Sequence, residues 1–116
     1  MNLVKIDELI ATEVMRWNKH LHKPSGSHVW VDKNDMLCEI ADSFKPAKNI
    51  SDAWIVIEKL KENRWIEISI SKLGAPLVDI GEYSVPHSTV QTEAETVPMA
   101  ICLAALETVG ILLELK

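Results

Sequence analysis

A run of ten residues near the carboxyl end of the chain, 97–106, has no charged or strongly hydrogen-bonding side chain. Thr96 is a suitable N-cap for a helix that starts here, and Pro98 falls in the first turn, where proline removes no helical hydrogen bond. A helix that is apolar on every side has to be covered by protein over most of its circumference. Small side chains in the run let a sheet or another helix lie close to it: Ala100, Ala104 and Ala105. The sequence therefore predicts a buried third helix.

The length and composition are those of one globular domain, 1–116. The chain has 116 residues, of which 47% are hydrophobic and 25% are charged, which is ordinary for a soluble protein. No segment approaches the roughly 20 apolar residues that a membrane-spanning helix needs, and the first residues lack the layout of a signal peptide. We therefore expect a cytoplasmic protein without membrane contact, in which Cys38 and Cys102 are free, buried thiols.

The net charge of −5 is unevenly distributed along the chain. Residues 1–72 carry eleven acidic and eleven basic side chains, whereas residues 73–116 carry six acidic side chains and a single basic one, Lys116. Nonspecific binding to duplex nucleic acid depends on clustered Lys and Arg side chains, which this chain lacks. Double-stranded nucleic acid is therefore not an expected partner.

The first half of the chain predicts one helix and one hairpin. A stripe of apolar residues at helical spacing predicts a first helix over 5–21. The stripe consists of Ile6, Ile10, Val14, Trp17 and Leu21. Proline and glycine in 23–27 end this helix. Residues 28–31 and 36–40 have strand character with a turn between them, so we expect them to pair.

The second half predicts a helix followed by two strands. Ser51 is the expected N-cap of a second helix that runs to Asn63. Residues 64–71 alternate, and their apolar face is expected to pack against the third helix. That face consists of Ile66, Ile68 and Ile70. A turn leads into an antiparallel partner strand over 77–85, and the polar segment 86–95 is expected to be irregular. These elements indicate an α+β fold, with about three helices around a small, mainly antiparallel sheet.

Few side chains are spaced for metal binding or catalysis. His20, His22 and His28 lie close together with Cys38 further along, but zinc sites use tighter ligand spacings and catalytic sites add a carboxylate. The four glycines are scattered and form no phosphate-binding loop. We therefore predict no catalytic residue, no bound metal and no cofactor. A metal-dependent enzyme that uses the histidines is a weaker alternative.

Tryptophan is frequent for so short a chain, with four residues. Trp17 lies on the apolar stripe and Trp54 in the first turn of the second helix, so both are expected in the core. Trp30 and Trp65 are candidates for contact with a planar ligand or a partner. A nucleotide-like ligand would also need donors for its phosphate, and four side chains are the candidates: Lys19, Lys23, Ser25 and Ser27.

Three segments carry a family resemblance, in order along nearly the whole chain. Residues 10–17 read Ile-Ala-Thr-Glu-Val-Met-Arg-Trp. Residues 44–46 read Phe-Lys-Pro and are followed at 50–54 by Ile-Ser-Asp-Ala-Trp. Residues 94–106 read Ala-Glu-Thr-Val-Pro-Met-Ala-Ile-Cys-Leu-Ala-Ala-Leu. These segments resemble the phage ABA sandwich domain, whose counterparts are Val-Met-Gly-Trp, Phe-x-Pro-Ser with a later Ala-Trp, and Ala-Glu-Thr-x-Pro-x-Ala-Ile-Cys-x-Ala-Ala-Leu.

The resemblance implies a small bacteriophage or prophage protein with an α-β-α sandwich fold, and it carries over no catalytic residue. The chain departs from the family pattern at two places. Arg16 stands where glycine is usual, which questions a tight turn after the first helix. Ala47 and Lys48 replace a Ser-Thr pair, which removes two hydroxyls that were available for capping or binding.

We expect a phage or prophage accessory protein that acts in the cytoplasm of the host bacterium by non-catalytic binding. One form of this role is counter-defence, in which the protein holds a host protein or a nucleotide signal. A structural or assembly homo-oligomer is the alternative, because the chain ends in an apolar segment that no single face of a helix or strand can hide. The expected dimer contact consists of Ile111, Leu112, Leu113 and Leu115.

Overall fold

A computed structural model describes residues 3–70, 72, 74–84 and 86–112. The helical elements are α1 (Leu3–Leu9), a π-helical turn (Ile10–Val14), a 3₁₀ turn (Ala41–Ser43), α2 (Ile50–Leu60) and α3 (Val97–Thr108). The strands are β1 (Asn18–His22), β2 (Ser27–Val31), β3 (Leu37–Ile40), β4 (Arg64–Ile70), β5 (Pro76–Glu82) and β6 (Val90–Glu93). None of the helices in these ranges has the length and apolar character needed to cross a bilayer.

The strands form two antiparallel sheets rather than the one that the sequence predicts. The first sheet has the order β1-β2-β3 and the second the order β4-β5-β6. The two predicted hairpins, β2-β3 and β4-β5, are confirmed, whereas β1 and β6 were not predicted. The α+β class is therefore confirmed, and the placement of helices on both faces of one sheet stays a prediction.

Helix α3 is at the centre of the core. Every residue from Ala100 to Leu106 is buried, as the uncharged run predicts. The helix packs against β5 and β6 on one side and against α2, α1 and the π-helical turn elsewhere. The Thr96 hydroxyl accepts a hydrogen bond from the Met99 N–H at 3.3 Å, so the predicted N-cap is confirmed.

The apolar face of the second sheet is only partly covered by α3. Ile80 and Val78 of β5 are fully buried, because the helix lies over β5 and β6. On β4 the same face extends beyond the helix, which leaves Ile68 36% exposed and Ile70 62% exposed. The expectation that the isoleucines of β4 pack together against α3 is therefore wrong beyond Ile66, which contacts the core.

The first helix ends earlier than the apolar stripe predicts. The Met15 N–H donates to the Ile10 carbonyl at 2.9 Å, and the Trp17 N–H donates to the Ala11 carbonyl at 2.9 Å. Between these residues Arg16 adopts a left-handed conformation with φ of 62°. Such a residue ends a helix and redirects the chain. Leu21 therefore lies on β1 and is exposed, although it falls on the predicted stripe.

Other local expectations are corrected at α2. The N-cap is Asn49, whose side chain accepts from the Ser51 N–H at 2.9 Å, and not Ser51 itself. The helix ends at Leu60 rather than Asn63. Trp54 projects from α2 into solvent, so its predicted core position is wrong. Trp17, in contrast, is partly buried and packs on the core.

The thiols and the chain end complete the fold. Cys38 and Cys102 are both free, and Cys102 is buried in α3 while Cys38 is only partly buried. Gly110, with φ of 83°, ends α3, and the Ile111 N–H donates to the Leu106 carbonyl at 2.9 Å. Of the predicted dimer contact, Ile111 packs on its own core and Leu112 is exposed, while Leu113 and Leu115 lie outside the described residues.

The left-handed residue after the first helix predicts that Arg16→Gly stabilises the protein. A residue with a Cβ atom in this conformation costs about 1–2 kcal/mol, which glycine would avoid. The larger conformational entropy of glycine in the unfolded chain offsets part of this stabilisation. We expect the free energy of unfolding in urea to rise by about 0.5–1 kcal/mol. Arg16→Ala is the control, because alanine retains Cβ and should give no such gain. Equal effects of the two substitutions would contradict the strain.

Uneven cover of the second sheet predicts different costs for two isoleucines on the same face. Ile80→Ala should destabilise by about 2–5 kcal/mol, because it removes fully buried methyl groups and leaves a cavity. Ile68→Ala should cost on the order of 1 kcal/mol, because that side chain keeps part of its surface in water. Urea unfolding of both variants measures the difference. A cost for Ile68→Ala as large as that for Ile80→Ala would show that β4 is covered in solution.

Candidate functional site

A cleft of about 320 Å³ opens between α1, the first sheet and the 3₁₀ turn, and we call it the α1 cleft. This volume lies at the lower end of the range for small-molecule sites. Its lining residues are Val4, Asp7, Glu8, Lys19, Trp30, Ala41, Asp42, Phe44 and Lys45. The cleft therefore combines an apolar interior with charges of both signs.

Two aromatic side chains form the floor of the α1 cleft. Trp30 lies on the central strand β2, is 3% exposed, and faces the core. Phe44 follows the 3₁₀ turn, where its N–H donates to the Ile40 carbonyl at 3.2 Å. Its ring packs against that of Trp17 with 5.0 Å between the centroids, at a tilted angle of 58°. The floor is therefore held by the core and does not depend on a ligand.

Lys19 covers the floor from β1. It is directly opposite Trp30 in the sheet register, and its ammonium nitrogen lies 5.2 Å from the centre of the Trp30 ring. The same nitrogen is 3.7 Å from a Glu8 carboxylate oxygen on α1. Both charged side chains are about half exposed, so this ion pair stabilises the fold by well under about 1 kcal/mol. Lys19 can consequently leave the ring at little cost.

Asp7 is the least solvated carboxylate around the cleft. Its Oδ1 accepts a hydrogen bond from the Ala47 N–H at 2.9 Å. Desolvation is the largest effect on Asp7 and raises its pKa above the ordinary value of 3.8, and the negative charge of Asp52 also raises the pKa. The hydrogen bond from Ala47 and the positive charge of Lys45 lower the pKa but do not cancel the increase. The ionised carboxylate is therefore less favourable here than in water.

The structure brings only part of the predicted ligand site together. Lys19 and Trp30 meet in the α1 cleft. Lys23 and Ser25 lie in the exposed turn between β1 and β2, where Ser25 Oγ shares a hydrogen bond with His22 Nδ1 at 2.8 Å and accepts from the Ser27 N–H at 3.3 Å. These side chains shape the turn and do not line the cleft.

Trp65 belongs to a different surface, on the second sheet. It is directly opposite Gly81, and a Cβ at that glycine would lie 2.4 Å from the Trp65 ring. Glycine is therefore required for the ring to lie across β5. An open depression of about 500 Å³ adjoins Trp65 and is lined also by Glu67, Tyr83, Ser84 and Pro86. Trp65 and Trp30 do not contribute to one site.

The weaker metal alternative finds no cluster in the part of the chain that the structure describes. Within those ranges no three His, Cys, Asp or Glu side chains are placed to hold a metal ion together. His20 and His22 lie on β1 and His28 lies on β2, in register with Leu21. A hairpin, and not a helix end, carries the three histidines, and its register places His20 and His22 on one side of the sheet and His28 on the other.

Sequence reasoning missed the acidic side of the cleft. The carboxylates of Asp7, Glu8 and Asp42 come from α1 and the 3₁₀ turn, which no sequence pattern places together. Phe44 and Lys45 were recognised only as part of a family motif. That motif was the one available signal in the sequence. In the structure it corresponds to a connector whose residues Phe44, Pro46 and Ala47 are all buried, which is unusual for a loop.

Comparison with known proteins identifies the family. The model of the phage ABA sandwich domain matches residues 8–106, which is most of the chain. The chain belongs to the phage ABA sandwich domain family. Its fold is also similar to a 2.0 Å crystal structure of a phage protein from Bacillus cereus ATCC 14579, with a TM-score of 0.72, 27% sequence identity, and coverage of 98% of this chain and 93% of that chain. No curated protein matches the chain.

The family motifs of this phage ABA sandwich domain coincide with packing positions. Ala53 and residues 100–106 of the third motif are buried in the core. Arg16, the first departure from the motif, adopts the conformation that favours glycine, so the turn is present despite the substitution. Ala47, in the second departure, is buried and uses its N–H to bind Asp7.

The raised pKa of Asp7 predicts a pH-dependent effect of Asp7→Asn. Unfolding lowers the pKa back to about 3.8, so the ionised form destabilises the folded state once the pH rises above that value. Asparagine keeps an oxygen acceptor for Ala47 and carries no charge. Relative to wild type, Asp7→Asn should therefore be more stabilising at about pH 7 than at about pH 4, as measured by urea unfolding.

Asp7→Ala is the matched control, because it removes the acceptor as well as the charge. It leaves the buried Ala47 N–H without this partner and should destabilise at both pH values by about 1–3 kcal/mol. A stabilising effect of Asp7→Asn that shrinks as the pH rises would contradict the assigned sign.

Proposed function

We propose that this phage protein is an accessory protein that acts in the cytoplasm of the host bacterium by binding a small ligand in the α1 cleft, without converting it. The observation that carries the proposal is the cleft itself. It places an aromatic floor beneath a rim with charges of both signs, and its Lys19 cover is held only by weak, half-exposed contacts. Concave sites with an apolar floor and a few polar groups are the usual form of a small-molecule site.

Binding rather than turnover is favoured by what the polar groups already do. Asp7 accepts from the Ala47 N–H, and Asp52 accepts from the Lys45 N–H at 2.9 Å. Glu8 pairs with Lys19. A general acid or base must exchange protons with the substrate. These carboxylates are already bound to backbone N–H groups or to a lysine, which favours a role in shaping the cleft for a ligand.

The ligand class that we propose is a nucleotide with few charges, held as a counter-defence measure against a nucleotide signal of the host. The base would take the place of the Lys19 ammonium on Trp30, and Lys19 and Lys45 would then pair with a phosphate. The rim carries three carboxylates against two ammonium groups, Asp7, Glu8 and Asp42 against Lys19 and Lys45. Each further phosphate would therefore meet net negative charge.

Isothermal titration calorimetry with adenosine monophosphate and adenosine triphosphate tests the proposal. We expect the monophosphate to bind with a Kd on the order of 100 μM and the triphosphate at least about tenfold more weakly. Lys19→Met should weaken monophosphate binding by about tenfold, because one phosphate donor is lost. Lys33→Met removes a lysine in the turn between β2 and β3 and serves as the control.

Two results would contradict this function. One is the absence of binding at millimolar monophosphate, and the other is tighter binding of the triphosphate. If neither nucleotide binds and a host protein is instead retained by wild type but not by Lys19→Met, the cleft holds a protein partner and the nucleotide proposal is wrong.

A structural or assembly role as a homo-oligomer is the second candidate. It is supported by large apolar side chains that the described part of the fold leaves in water, including Leu112 after α3. Exposed apolar surface on a small protein favours association. This role and ligand binding can coexist, because the α1 cleft and the end of the chain are separate surfaces.

A further inference from the structure

A second cleft, of about 380 Å³, is lined by the corner that follows the π-helical turn, by the turn between β2 and β3, and by α2. We call it the Arg16 pocket. It combines buried or half-buried apolar side chains with exposed cationic ones. The apolar side chains are Met15, Trp17 and Cys38, and the cationic ones are Arg16, Lys33 and Lys59. The Arg16 pocket and the α1 cleft have no lining residue in common.

Positive charge converges on the Arg16 pocket, although the chain as a whole has a net charge of −5. Arg16, Lys33 and Lys59 come from three separate parts of the chain, and Asp32 is the one acidic side chain that lines the pocket with them. The thiol of Cys38 adds no negative charge, because burial, together with the nearby Asp32 carboxylate, raises its pKa. The cations repel one another around one cavity, and a bound anion would relieve that repulsion.

The fold makes little use of these three cations. Neither the Arg16 guanidinium nor the Lys33 ammonium forms a hydrogen bond or an ion pair with another residue in the part of the chain that the structure describes. Lys59 lies 3.7 Å from a Glu62 carboxylate oxygen, but both side chains are about half exposed, so the pair is weak. All three cationic groups can therefore turn toward a ligand.

Arg16 is held in a conformation that favours glycine. Its φ of 62° is left-handed, and a residue with a Cβ atom loses stability there. Residues in such conformations concentrate at ligand-binding sites, where the side chain serves a purpose other than stability. The planar guanidinium can donate two parallel hydrogen bonds to a carboxylate, which glycine cannot do.

The turn between β2 and β3 favours a carboxylate over a phosphate. Asp32 Oδ1 accepts from the Asn34 N–H at 2.8 Å and from the Met36 N–H at 3.0 Å, and the Asp35 N–H donates to the Asp32 carbonyl at 3.0 Å. Phosphate sites commonly use free backbone N–H groups, and in this turn those three groups are already bonded. The Asp32 charge also opposes a dianion more strongly than a monoanion.

We propose that the Arg16 pocket binds a small organic monocarboxylate that carries an apolar group. Arg16 pairs with the carboxylate, Lys33 and Lys59 add positive charge around it, and the apolar group lies against Trp17 and Met15. The wall exists without a ligand, because the Trp17 ring packs on that of Phe44 with 5.0 Å between the centroids. The volume of about 380 Å³ is within the range of small-molecule sites.

A saturation-transfer NMR titration with 3-phenylpropanoate at about pH 7 tests the proposal. We expect a Kd on the order of 1 mM for so small a ligand. Arg16→Gly should raise this Kd at least about tenfold, because the two parallel hydrogen bonds are lost. Since this variant is expected to be more stable than wild type, unfolding does not account for the loss. Lys19→Met is the matched control, because it removes one positive charge from the α1 cleft and should leave the Kd unchanged.

Two further ligands test the chemical class. 3-Phenylpropanol has the same apolar group without the charge and should bind at least about tenfold more weakly. Phenyl phosphate, which carries a second negative charge, should also bind more weakly than the carboxylate.

The variants also separate this site from nucleotide binding. Lys33 lines the Arg16 pocket and not the α1 cleft, so Lys33→Met should raise the Kd of 3-phenylpropanoate about threefold and leave adenosine monophosphate binding unchanged. Failure of the nucleotide to bind would leave the carboxylate result as it stands, because the two sites are separate.

Urea unfolding of each variant shows whether it folds, and Arg16→Met, which keeps Cβ and removes the charge, replaces Arg16→Gly if the latter does not. The absence of saturation transfer at about 20 mM 3-phenylpropanoate would overturn the proposal. So would a folded Arg16→Gly protein that binds the carboxylate as tightly as wild type. Tighter binding of phenyl phosphate than of 3-phenylpropanoate would make the pocket a phosphate site and overturn the assigned class.

Discussion

Burial of α3 is the constraint on which the rest of the structure depends. Residues Ala100 to Leu106 are buried on every side of the helix, so no single sheet or helix can cover them. The second sheet covers one side, and α1, the π-helical turn and α2 cover the rest. Because three alanines in this stretch have almost no side chain, the neighbouring elements approach closely, and an added methylene would have no space to occupy.

The early end of the first helix gives rise to the α1 cleft. The first helix is short, because the chain reverses at Arg16 and returns as β1 instead of continuing along α3. The first sheet therefore lies beside α1, and Trp30 and Phe44 pack where α1, the first sheet and the 3₁₀ turn meet. The space that remains above these rings is the cleft. The family glycine at this position meets the same backbone requirement without strain.

The first sheet separates two surfaces of opposite character. On one side Lys19 and the acidic residues of α1 and the 3₁₀ turn make a charged rim around aromatic rings. On the other side the register assembles a neutral, apolar face from β2 and β3. Alternation along β2 alone creates this difference, since Trp30 points one way and Val29 and Val31 point the other.

The sequence by itself determined the features that local chemistry specifies: the uncharged run and its Thr96 cap specify α3, and alternation specifies the β4-β5 hairpin. Only the tertiary structure decided the rest. Leu21 falls on a helical stripe, yet it belongs to a strand, because a helix to that point would carry the chain past the core that it has to cover. Ile68 looks as buried as Ile80 in an alternating pattern, but the width of one helix sets how much of a sheet is covered. The Asp7 contact with Ala47 joins residues forty positions apart, and such a pairing follows from packing and not from any period in the chain.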